Sequence, residues 1–312
     1  MKIGNYLVIT LVLVFFSFFL LGLRFRGLLA RANSNQNSKE NIAVLSDGSD
    51  ILGEENEIPK NPVFLGNEGA PLVSAYSVLA IDKESNKVLY EKNPQSRVFP
   101  ASTTKLTTAL VAFDYYPLDQ EMVVGDINVE GQKMHLAKGE KITVRDIMYG
   151  LLMFSANDAA KVLATNFPGG EDNFVSAMNL KVKQLGLTNT SFDNPVGFDG
   201  IDQYTTAGDL IEITKYAIEN PVISEIIKTK NLTVKSTDGL INHKLVNLNQ
   251  LLGEVDGVLG VKTGWTESAK ENLVTFVDRD GKKVIIALLG SNDRFGETKS
   301  IINWIYNNYS WD

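Results

Sequence analysis

The stretch that sets the fold lies near the C-terminus and reads NLVTFVDRDGKKVIIALL, residues 272–289. Its Asp280-Gly281 pair is a favoured two-residue turn for a β-hairpin. The turn divides the stretch into two largely apolar strands, Asn272 to Arg279 and Lys282 to Leu289. The sequence therefore predicts an antiparallel pair of strands at the end of the domain.

A second hairpin is predicted far upstream, where alternating apolar residues in Ala75 to Ile81 and Lys87 to Tyr90 flank a polar turn. Strands from both ends of the domain would thus meet in one sheet. Elsewhere apolar residues recur at helical spacing. The predicted helices are Ser102–Tyr115, Val144–Met153, Ala159–Phe167, Asp172–Leu185, Ala207–Ile218 and Glu297–Asn307. The fold class is therefore α/β: an antiparallel sheet packed with helices, into which a mostly helical lobe is inserted.

The composition excludes several classes of protein. The 312 residues carry a formal net charge of −7, so electrostatic binding to nucleic acid is not expected. The absence of cysteine excludes a thiol nucleophile, a disulfide and a cysteine-based metal site. His135 and His243 are the only histidines, and neither has a partner at metal-ligand spacing. We therefore expect no metal or other cofactor, and we interpret both histidines as surface or packing residues.

The N-terminal segment predicts attachment to a membrane. Tyr6 to Leu23 is an apolar run of 18 residues, long enough for a marginal membrane span, and residues 1–23 are interpreted as an uncleaved anchor. The alternative is a cleaved signal, because Ala30-Arg31-Ala32 has the small residues that a signal peptidase needs. Three arginines follow the run, a charge distribution that favours a cytoplasmic location for the rest of the chain.

Residues 24–71 are interpreted as a flexible linker. From Asn33 to Pro71 the sequence is rich in Asn, Ser, Gly, Glu and Asp, and no apolar period is sustained. As a flexible coil this stretch would span about 35 Å root-mean-square. Residues 72–312 are then the single folded domain.

The first candidate site motif is Pro100-Ala101-Ser102-Thr103-Thr104-Lys105, at the start of a predicted helix. Residues three apart on a helix share a face, so Lys105 can reach the Ser102 hydroxyl. The positive end of the helix dipole would also favour an alkoxide at Ser102. The pair therefore suits a serine nucleophile activated by lysine. The alternative is a helix cap followed by a surface lysine, and the S-x-x-K spacing alone does not separate the two.

Two further motifs place polar groups between or at the ends of predicted helices and strands. Ser155-Ala156-Asn157 lies between two predicted helices, where a hydroxyl and an amide could relay a proton and hold a substrate amide. Alternatively, Ser155 or Asn157 caps the second helix. Lys262-Thr263-Gly264 follows a β-prone segment and offers a cation, a hydroxyl and close backbone approach for a ligand. A solvated turn would look similar, so neither motif is decisive alone.

In this order, the three motifs resemble those of the low-molecular-mass penicillin-binding proteins, the serine D-Ala-D-Ala carboxypeptidase family, which are related to β-lactamases. The resemblance runs from about Ser74 to the C-terminal helix. It includes the wider phrases Arg97 to Lys105, Ser155 to Ala160 and Asn194 to Gly197. The resemblance implies a β-lactamase/D,D-peptidase-like fold, preceded here by the N-terminal transmembrane segment, with the three motifs lining one cleft.

The resemblance also implies the chemistry. Ser102 would attack the carbonyl of the penultimate D-alanine of a peptidoglycan stem peptide, release the terminal D-alanine and form an acyl-enzyme that water hydrolyses. Lys105 would be the base, with its pKa lowered by burial and by the nearby charge of Lys262. Ser155 would pass a proton to the leaving amine.

Substrate binding is implied for the remaining motif residues. Asn157 would hold the substrate or Lys105, and Thr263 would bind the terminal carboxylate or its β-lactam equivalent. Gly264 would let the substrate approach the strand. The oxyanion hole would consist of the backbone N–H groups of Ser102 and Trp265. β-Lactams would acylate the same serine and act as inhibitors.

The sequence departs from the family pattern at several positions. Some carboxypeptidases of the family carry an arginine between two asparagines upstream of K-T-G, whereas Leu248 stands between Asn247 and Asn249 here. An endopeptidase acting on cross-links therefore remains open. Lys270 follows Ala269 where the family usually has glycine. The chain is also expected to lack the extra β-domain and C-terminal anchor of many relatives, and the N-terminal segment would replace that anchor.

Two other functions compete with the carboxypeptidase reading. A class A β-lactamase needs a glutamate that activates the deacylating water, and Thr188 to Ile201 contains none. A non-catalytic β-lactam-sensing or wall-binding module is disfavoured because all three motifs are intact. The arginine distribution and the implied peptidoglycan substrate disagree on the location of the domain, and we follow the substrate. We expect a membrane-anchored enzyme with an extracytoplasmic catalytic domain, or a secreted one if the chain is cleaved after Ala32.

Overall fold

The computed structural model describes residues 61–66 and 68–311. The predicted anchor, residues 1–23, and the predicted linker as far as residue 60 lie outside the described residues. Within the described part of the chain, no helix has the length and apolar character needed to cross a membrane.

A five-stranded antiparallel sheet is the frame of the domain. Its strands are β2 (Ser77–Asp82), β3 (Val88–Lys92), β8 (Val258–Thr266), β9 (Lys270–Arg279) and β10 (Lys282–Ser291). Their order across the sheet is β3-β2-β10-β9-β8. Both predicted hairpins are therefore present, and the pairing of β2 with β10 joins strands from the two ends of the domain. Asp280 and Gly281 both adopt positive φ, as a two-residue Asp-Gly turn requires.

The helical lobe is inserted between β3 and β8. The helices of the domain are α1 (Lys105–Tyr115), α2 (Val144–Leu152), α3 (Asn157–Thr165), α4 (Gly170–Gln184), α5 (Ala207–Glu219), α6 (Pro221–Lys228) and, after the sheet, α7 (Arg294–Asn308). All six predicted helices are confirmed, with their ends shifted by a few residues. The sequence did not predict α6 or two small antiparallel pairs, β4 (Glu121–Val123) with β5 (Lys141–Thr143) and β6 (Asn231–Lys235) with β7 (Asn242–Val246).

The side chains of β10, the central strand of the sheet, alternate between two hydrophobic cores. Ile285 and Leu289 belong to the core that the sheet shares with the helical lobe. Ile286 and Leu288 point to the opposite face and pack with Ile301 and other apolar residues of α7. Because successive side chains of a strand point to opposite faces, the uninterrupted apolar sequence of β10 fits a strand that is buried on both sides.

The folded domain begins earlier than the predicted boundary at residue 72. Strand β1 (Val63–Phe64) pairs with β11 (Tyr309–Ser310) near the C-terminus. The Phe64 ring also packs against Trp304, with 5.8 Å between ring centroids. Val63 and Phe64, which the sequence analysis assigned to the linker, therefore pair with the folded domain. A two-residue strand is too short to show an apolar period in the sequence.

Candidate active site

A cleft of about 490 Å³ opens beside β8, where the sheet meets the helical lobe. All eight residues predicted from the sequence meet there. Six line the cleft directly: Ser102, Ser155, Asn157, Thr263, Gly264 and Trp265. The other two are buried below its surface, with the Lys105 amine in contact with Ser102 and the Lys262 amine in contact with Ser155.

Ser102 lies on a tight turn, and the neighbouring backbone at Gly197 has no space for a side chain. The residues Ala101–Thr104 form a short 3-10 helix before α1, whereas the sequence predicted one continuous helix from Ser102. Ala101 adopts a φ of 48°. Gly197, with a φ of 96°, passes so close that a Cβ there would lie 1.9 Å from the Ala101 carbonyl oxygen. Position 197 therefore requires glycine, where the backbone crosses the turn at Ser102.

Asn272 on β9 fixes the same turn from the sheet. Its side chain is fully buried, and Nδ2 donates to the carbonyl oxygens of Phe99 at 2.9 Å and Pro100 at 3.1 Å. Its Oδ1 accepts the Gly290 N–H at 2.8 Å. Buried amide groups without partners are costly, so these bonds hold the turn against the sheet. The sequence did not reveal this role, because a single asparagine inside a strand forms no motif.

Lys105 is placed to act as a base towards Ser102. Its Nζ lies 2.9 Å from Ser102 Oγ and donates to the Val196 carbonyl oxygen at 2.7 Å. Burial, and after it the charge of Lys262, holds the pKa of Lys105 well below its ordinary value, while Asp158 acts in the opposite direction. A neutral amine in this position can accept the Ser102 proton while one of its own N–H groups binds the carbonyl.

Lys262 and Ser155 form a second amine–hydroxyl pair. Lys262 Nζ donates to Ser155 Oγ at 2.8 Å. Burial, followed by the charge of Arg294, lowers the pKa of Lys262 to about 7. Ser155 is not the cap of α3, since the N-cap residue is Ala156. The pair can therefore give and take protons near neutral pH, beside the cleft.

Asn157 ties the first turn of α3 to the opposite wall of the cleft. Its Nδ2 donates to the Glu130 carbonyl oxygen at 2.7 Å, and its backbone N–H donates to the Gln132 carbonyl oxygen at 2.7 Å. The side-chain amide thus binds this wall and not Lys105. Of the two roles predicted for Asn157, contact with the substrate is the one that its position supports.

Strand β8 runs close beside the turn at Ser102. A Cβ on Gly264 would lie 3.1 Å from the Ser102 backbone nitrogen and 3.2 Å from the Pro100 carbonyl oxygen. Thr263 is buried next to Gly264, whereas the Trp265 side chain is 62% exposed at the rim of the cleft. The predicted oxyanion donors, the N–H groups of Ser102 and Trp265, thus belong to two segments in close contact.

Arg294 is a site residue that the sequence did not reveal. It begins α7 and lines the cleft, where its Nη1 donates to the Gly264 carbonyl oxygen at 2.9 Å. Its backbone N–H donates to Glu271 Oε2 at 2.9 Å. Partial burial lowers the pKa of Arg294, and Glu271 acts against that shift. Arg294 belongs to no sequence motif. Its proximity to Lys262 is therefore apparent only from the folded structure.

The chain is similar to proteins of known family. Residues 66–293 match the family described as D-alanyl-D-alanine carboxypeptidase. The chain is 32% identical over 248 residues to D-alanyl-D-alanine carboxypeptidase DacF of Bacillus subtilis, an alignment that covers 75% of this chain and 63% of that relative. It is 34% identical over 228 residues to DacB2 of Mycobacterium tuberculosis, covering 72% and 77% of the two chains.

A solved structure shares the fold. The Streptomyces K15 DD-transpeptidase superposes with a TM-score of 0.73 at 30% identity, over 77% of this chain and 100% of the other. The chain therefore belongs to the D-alanyl-D-alanine carboxypeptidase family of serine peptidases and has the β-lactamase/D,D-peptidase-like fold.

Proposed function

We propose that this protein is a serine D-Ala-D-Ala carboxypeptidase that trims peptidoglycan stem peptides through an acyl-enzyme on Ser102. The observation that carries the proposal is the contact between Ser102 Oγ and the Lys105 amine at 2.9 Å, inside a cleft that also holds Ser155 and Lys262. The low pKa of Lys105 supplies a base where no histidine is present.

Acylation needs one proton to leave the nucleophile and another to reach the leaving group. Ser102 Oγ attacks the carbonyl carbon of the penultimate D-alanine while its proton passes to Lys105. The peptide C–N bond then breaks as Ser155 protonates the departing amine, and Lys262 returns a proton to Ser155. The proton on Lys105 then replaces the one that Lys262 gave up, which leaves Lys105 neutral again. Water next adds to the ester as Lys105 takes one of its protons, and Lys105 gives this proton to Ser102 Oγ as the acyl–oxygen bond breaks. The net reaction converts one peptide bond and one water into a carboxylic acid and free D-alanine.

Recognition of the terminal carboxylate is assigned to Arg294 and Thr263. A carboxypeptidase substrate ends in a negative charge, which a cation at the cleft surface binds best. Lys262 is fully buried, whereas Arg294 lines the cleft beside Gly264. Leu248, which replaces the arginine of some relatives, also lines this cleft. Arg294 would therefore supply the charge that Leu248 lacks.

We also propose that the domain acts outside the cytoplasmic membrane, tethered by residues 1–23 or released by cleavage after Ala32. The apolar run Tyr6 to Leu23 and the absence of cysteine support this location. Protease treatment of intact cells tests it. Digestion of the domain is expected, and a fully protected domain would contradict the proposal.

The activity is tested with purified full-length protein on a pentapeptide stem mimic and on cross-linked muropeptides. Free D-alanine is expected from the pentapeptide, and both this release and labelling by a fluorescent penicillin are expected to vanish in Ser102→Ala. Ser300→Ala, at an exposed position on α7, is the matched control and should keep both.

Other outcomes select the alternatives. Faster cleavage of cross-links than of pentapeptide would identify an endopeptidase. Rapid turnover of penicillin would identify a β-lactamase. Labelling without any peptide product would identify a non-catalytic sensing module, and labelling that survives in Ser102→Ala would exclude this nucleophile.

A further inference from the structure

A buried histidine that takes no part in the proposed chemistry lies behind one wall of the cleft. His243, on β7, is 5% exposed. Its Nδ1 lies 2.8 Å from the Met134 carbonyl oxygen, and its Nε2 lies 2.6 Å from Glu140 Oε1. Glu140 is also 5% exposed, and its second oxygen accepts the Ala137 N–H at 2.9 Å. Both side chains are therefore fully engaged inside the protein.

The geometry fixes how many protons this pair holds. A carbonyl oxygen only accepts hydrogen bonds, so Nδ1 of His243 carries a hydrogen. Nε2 and the Glu140 oxygen cannot stand 2.6 Å apart with lone pairs facing each other, so a second hydrogen lies between them. The pair is thus an imidazolium with a carboxylate, or an imidazole with a carboxylic acid. Removing the shared proton would leave two buried acceptors in contact.

The residues bound by His243 belong to the segment that forms this cleft wall. Residues 124–140 connect β4 to β5 without a helix or strand. Backbone hydrogen bonds join Val124 to Gly139 and Glu140 at the base of the segment, and side-chain contacts add to them further out. Two carbonyl groups of the segment accept hydrogen bonds from Asn157. The Met134 N–H donates to Asp158 Oδ1 at 3.0 Å. His243 holds the other side of Met134, and Glu140 closes the base of the segment.

Other charged groups lie further from the His243–Glu140 pair. Lys133, His135 and Lys244 line a groove on its outer side. Asp158 lies on the inner side, where its carboxylate binds the N–H groups of Met134 and Leu136 and not His243. Glu140 is therefore the group that shares the proton of His243.

We propose that the His243–Glu140 pair is a positioning device that holds the cleft wall to which Asn157 is bonded, and that it does so through the proton shared between the two side chains. His243 contacts no substrate and is not a catalytic residue. The inference rests on the proposed function only because acylation of Ser102 reports the position of the wall.

Glu140→Gln tests the shared proton without removing the contact. The new amide can donate an N–H to Nε2 of a neutral imidazole, while its oxygen keeps the bond from Ala137. The variant therefore keeps the wall in place as long as His243 is neutral, and loses it when the ring gains a second proton. The native carboxylate instead accepts from the protonated ring, so the native contact is kept under the conditions in which the variant loses it.

The measurement is the second-order rate constant for acylation by a fluorescent penicillin, from about pH 5 to about pH 9, across the range in which histidine usually titrates. Lys105 and Lys262 titrate in both proteins, so the ratio of native to variant rates cancels their contribution. This ratio is expected to rise by about tenfold from the alkaline to the acidic end, the effect of about one buried hydrogen bond lost in the variant. A ratio that does not change with pH would overturn the proposal.

His135→Asn is the matched control. It removes the other histidine from the same segment, where the side chain is exposed and φ is 64°, a conformation that asparagine tolerates. Its rate ratio to the native protein should stay flat. A pH-dependent ratio of the same size would assign the effect to His135 and overturn the proposal.

A second measurement serves if Glu140→Gln does not fold. Proton NMR of the native protein should show a strongly downfield, slowly exchanging proton that His135→Asn retains, and the absence of this signal would also overturn the proposal. Failure of the proposed function can be distinguished from failure of the proposal about His243 and Glu140. A chain that acylates with penicillin but releases no D-alanine would refute the carboxypeptidase while the pH-dependent ratio still held.

Discussion

Replacing Arg294 with glutamine should separate recognition of the substrate carboxylate from peptide bond cleavage. Arg294 lines the cleft, and its Nη1 donates to the Gly264 carbonyl oxygen at 2.9 Å. The contact between Lys105 and Ser102 does not involve it. Glutamine keeps a hydrogen-bond donor for the carbonyl but carries no charge. The change therefore removes the cation and retains a possible contact with β8.

The magnitude follows from the kind of bond that is lost. A hydrogen bond to a charged group contributes about 1.5–3 kcal/mol. Because about 1.4 kcal/mol corresponds to a factor of ten, the range is roughly 10-fold to 150-fold in kcat/KM. Arg294 is only partly buried, so solvent screens part of its charge and the lower half of the range is expected.

The assay compares two peptides that both end in D-Ala-D-Ala, one as the carboxylate and the other as the C-terminal amide. The preference of the enzyme for the carboxylate, expressed as a ratio of kcat/KM values, should fall by about 10-fold to 40-fold in Arg294→Gln. Arg97→Gln is the control, because Arg97 is exposed and lies over the Tyr204 ring outside the cleft. An unchanged ratio, or equal losses on both peptides, would refute the assignment.

Three further changes probe the scaffold of the site. Gly264→Ala should slow acylation by about tenfold or more at little cost in melting temperature, because the new Cβ would lie 3.1 Å from the Ser102 nitrogen and displace an oxyanion donor; fluorescent penicillin labelling checks this. Asn272→Leu should lower the free energy of unfolding by about 2 kcal/mol or more, since the Phe99 carbonyl and the Gly290 N–H lose their bonds to the side chain, whereas the Pro100 carbonyl still accepts from Thr103; urea denaturation measures it. The folded-state pKa of Lys262, about 7, lies below the ordinary 10.5, so the unfolded chain binds more protons between these values and stability rises with pH. Lys262→Met should remove up to about 1 kcal/mol per pH unit of that rise, measured by urea denaturation at neutral and alkaline pH, and an unchanged slope would contradict it.

The sequence identified most of the reacting groups because their chemistry is local. Lys105 is three residues from Ser102, and the three motifs resemble a known family, so the residues of one cleft could be named without coordinates. Arg294 and Asn272 were not identified, because their roles do not depend on residues close to them in the sequence. Each acts through contacts made only when β8, β9 and α7 pack together, with backbone atoms that carry no sequence information.

The fold was predictable where elements are long and periodic. The β9–β10 hairpin has ten residues in each strand and a turn that sequence alone identifies. Strands β4 and β5 have three residues each, which is too short for an apolar period. Helix α6 was missed although Asn220 caps it and Pro221 begins it, since eight residues supply only two turns of helical pattern.

Substrate binding should itself activate Lys105. The charge of Arg294 lowers the pKa of Lys262, and the charge of Lys262 lowers that of Lys105. A carboxylate bound to Arg294 would offset its charge, so Lys262 would keep its proton to higher pH and depress the pKa of Lys105 further.

The pH profile of kcat tests this coupling, because kcat reports groups in the enzyme–substrate complex. Its acid limb should lie at lower pH for the carboxylate peptide than for the amide peptide, since Lys105 must be neutral to act as the base. The difference should disappear in Arg294→Gln, where no guanidinium is left to be offset. Coincident acid limbs in the native enzyme would show that Arg294 and Lys105 are not coupled through Lys262.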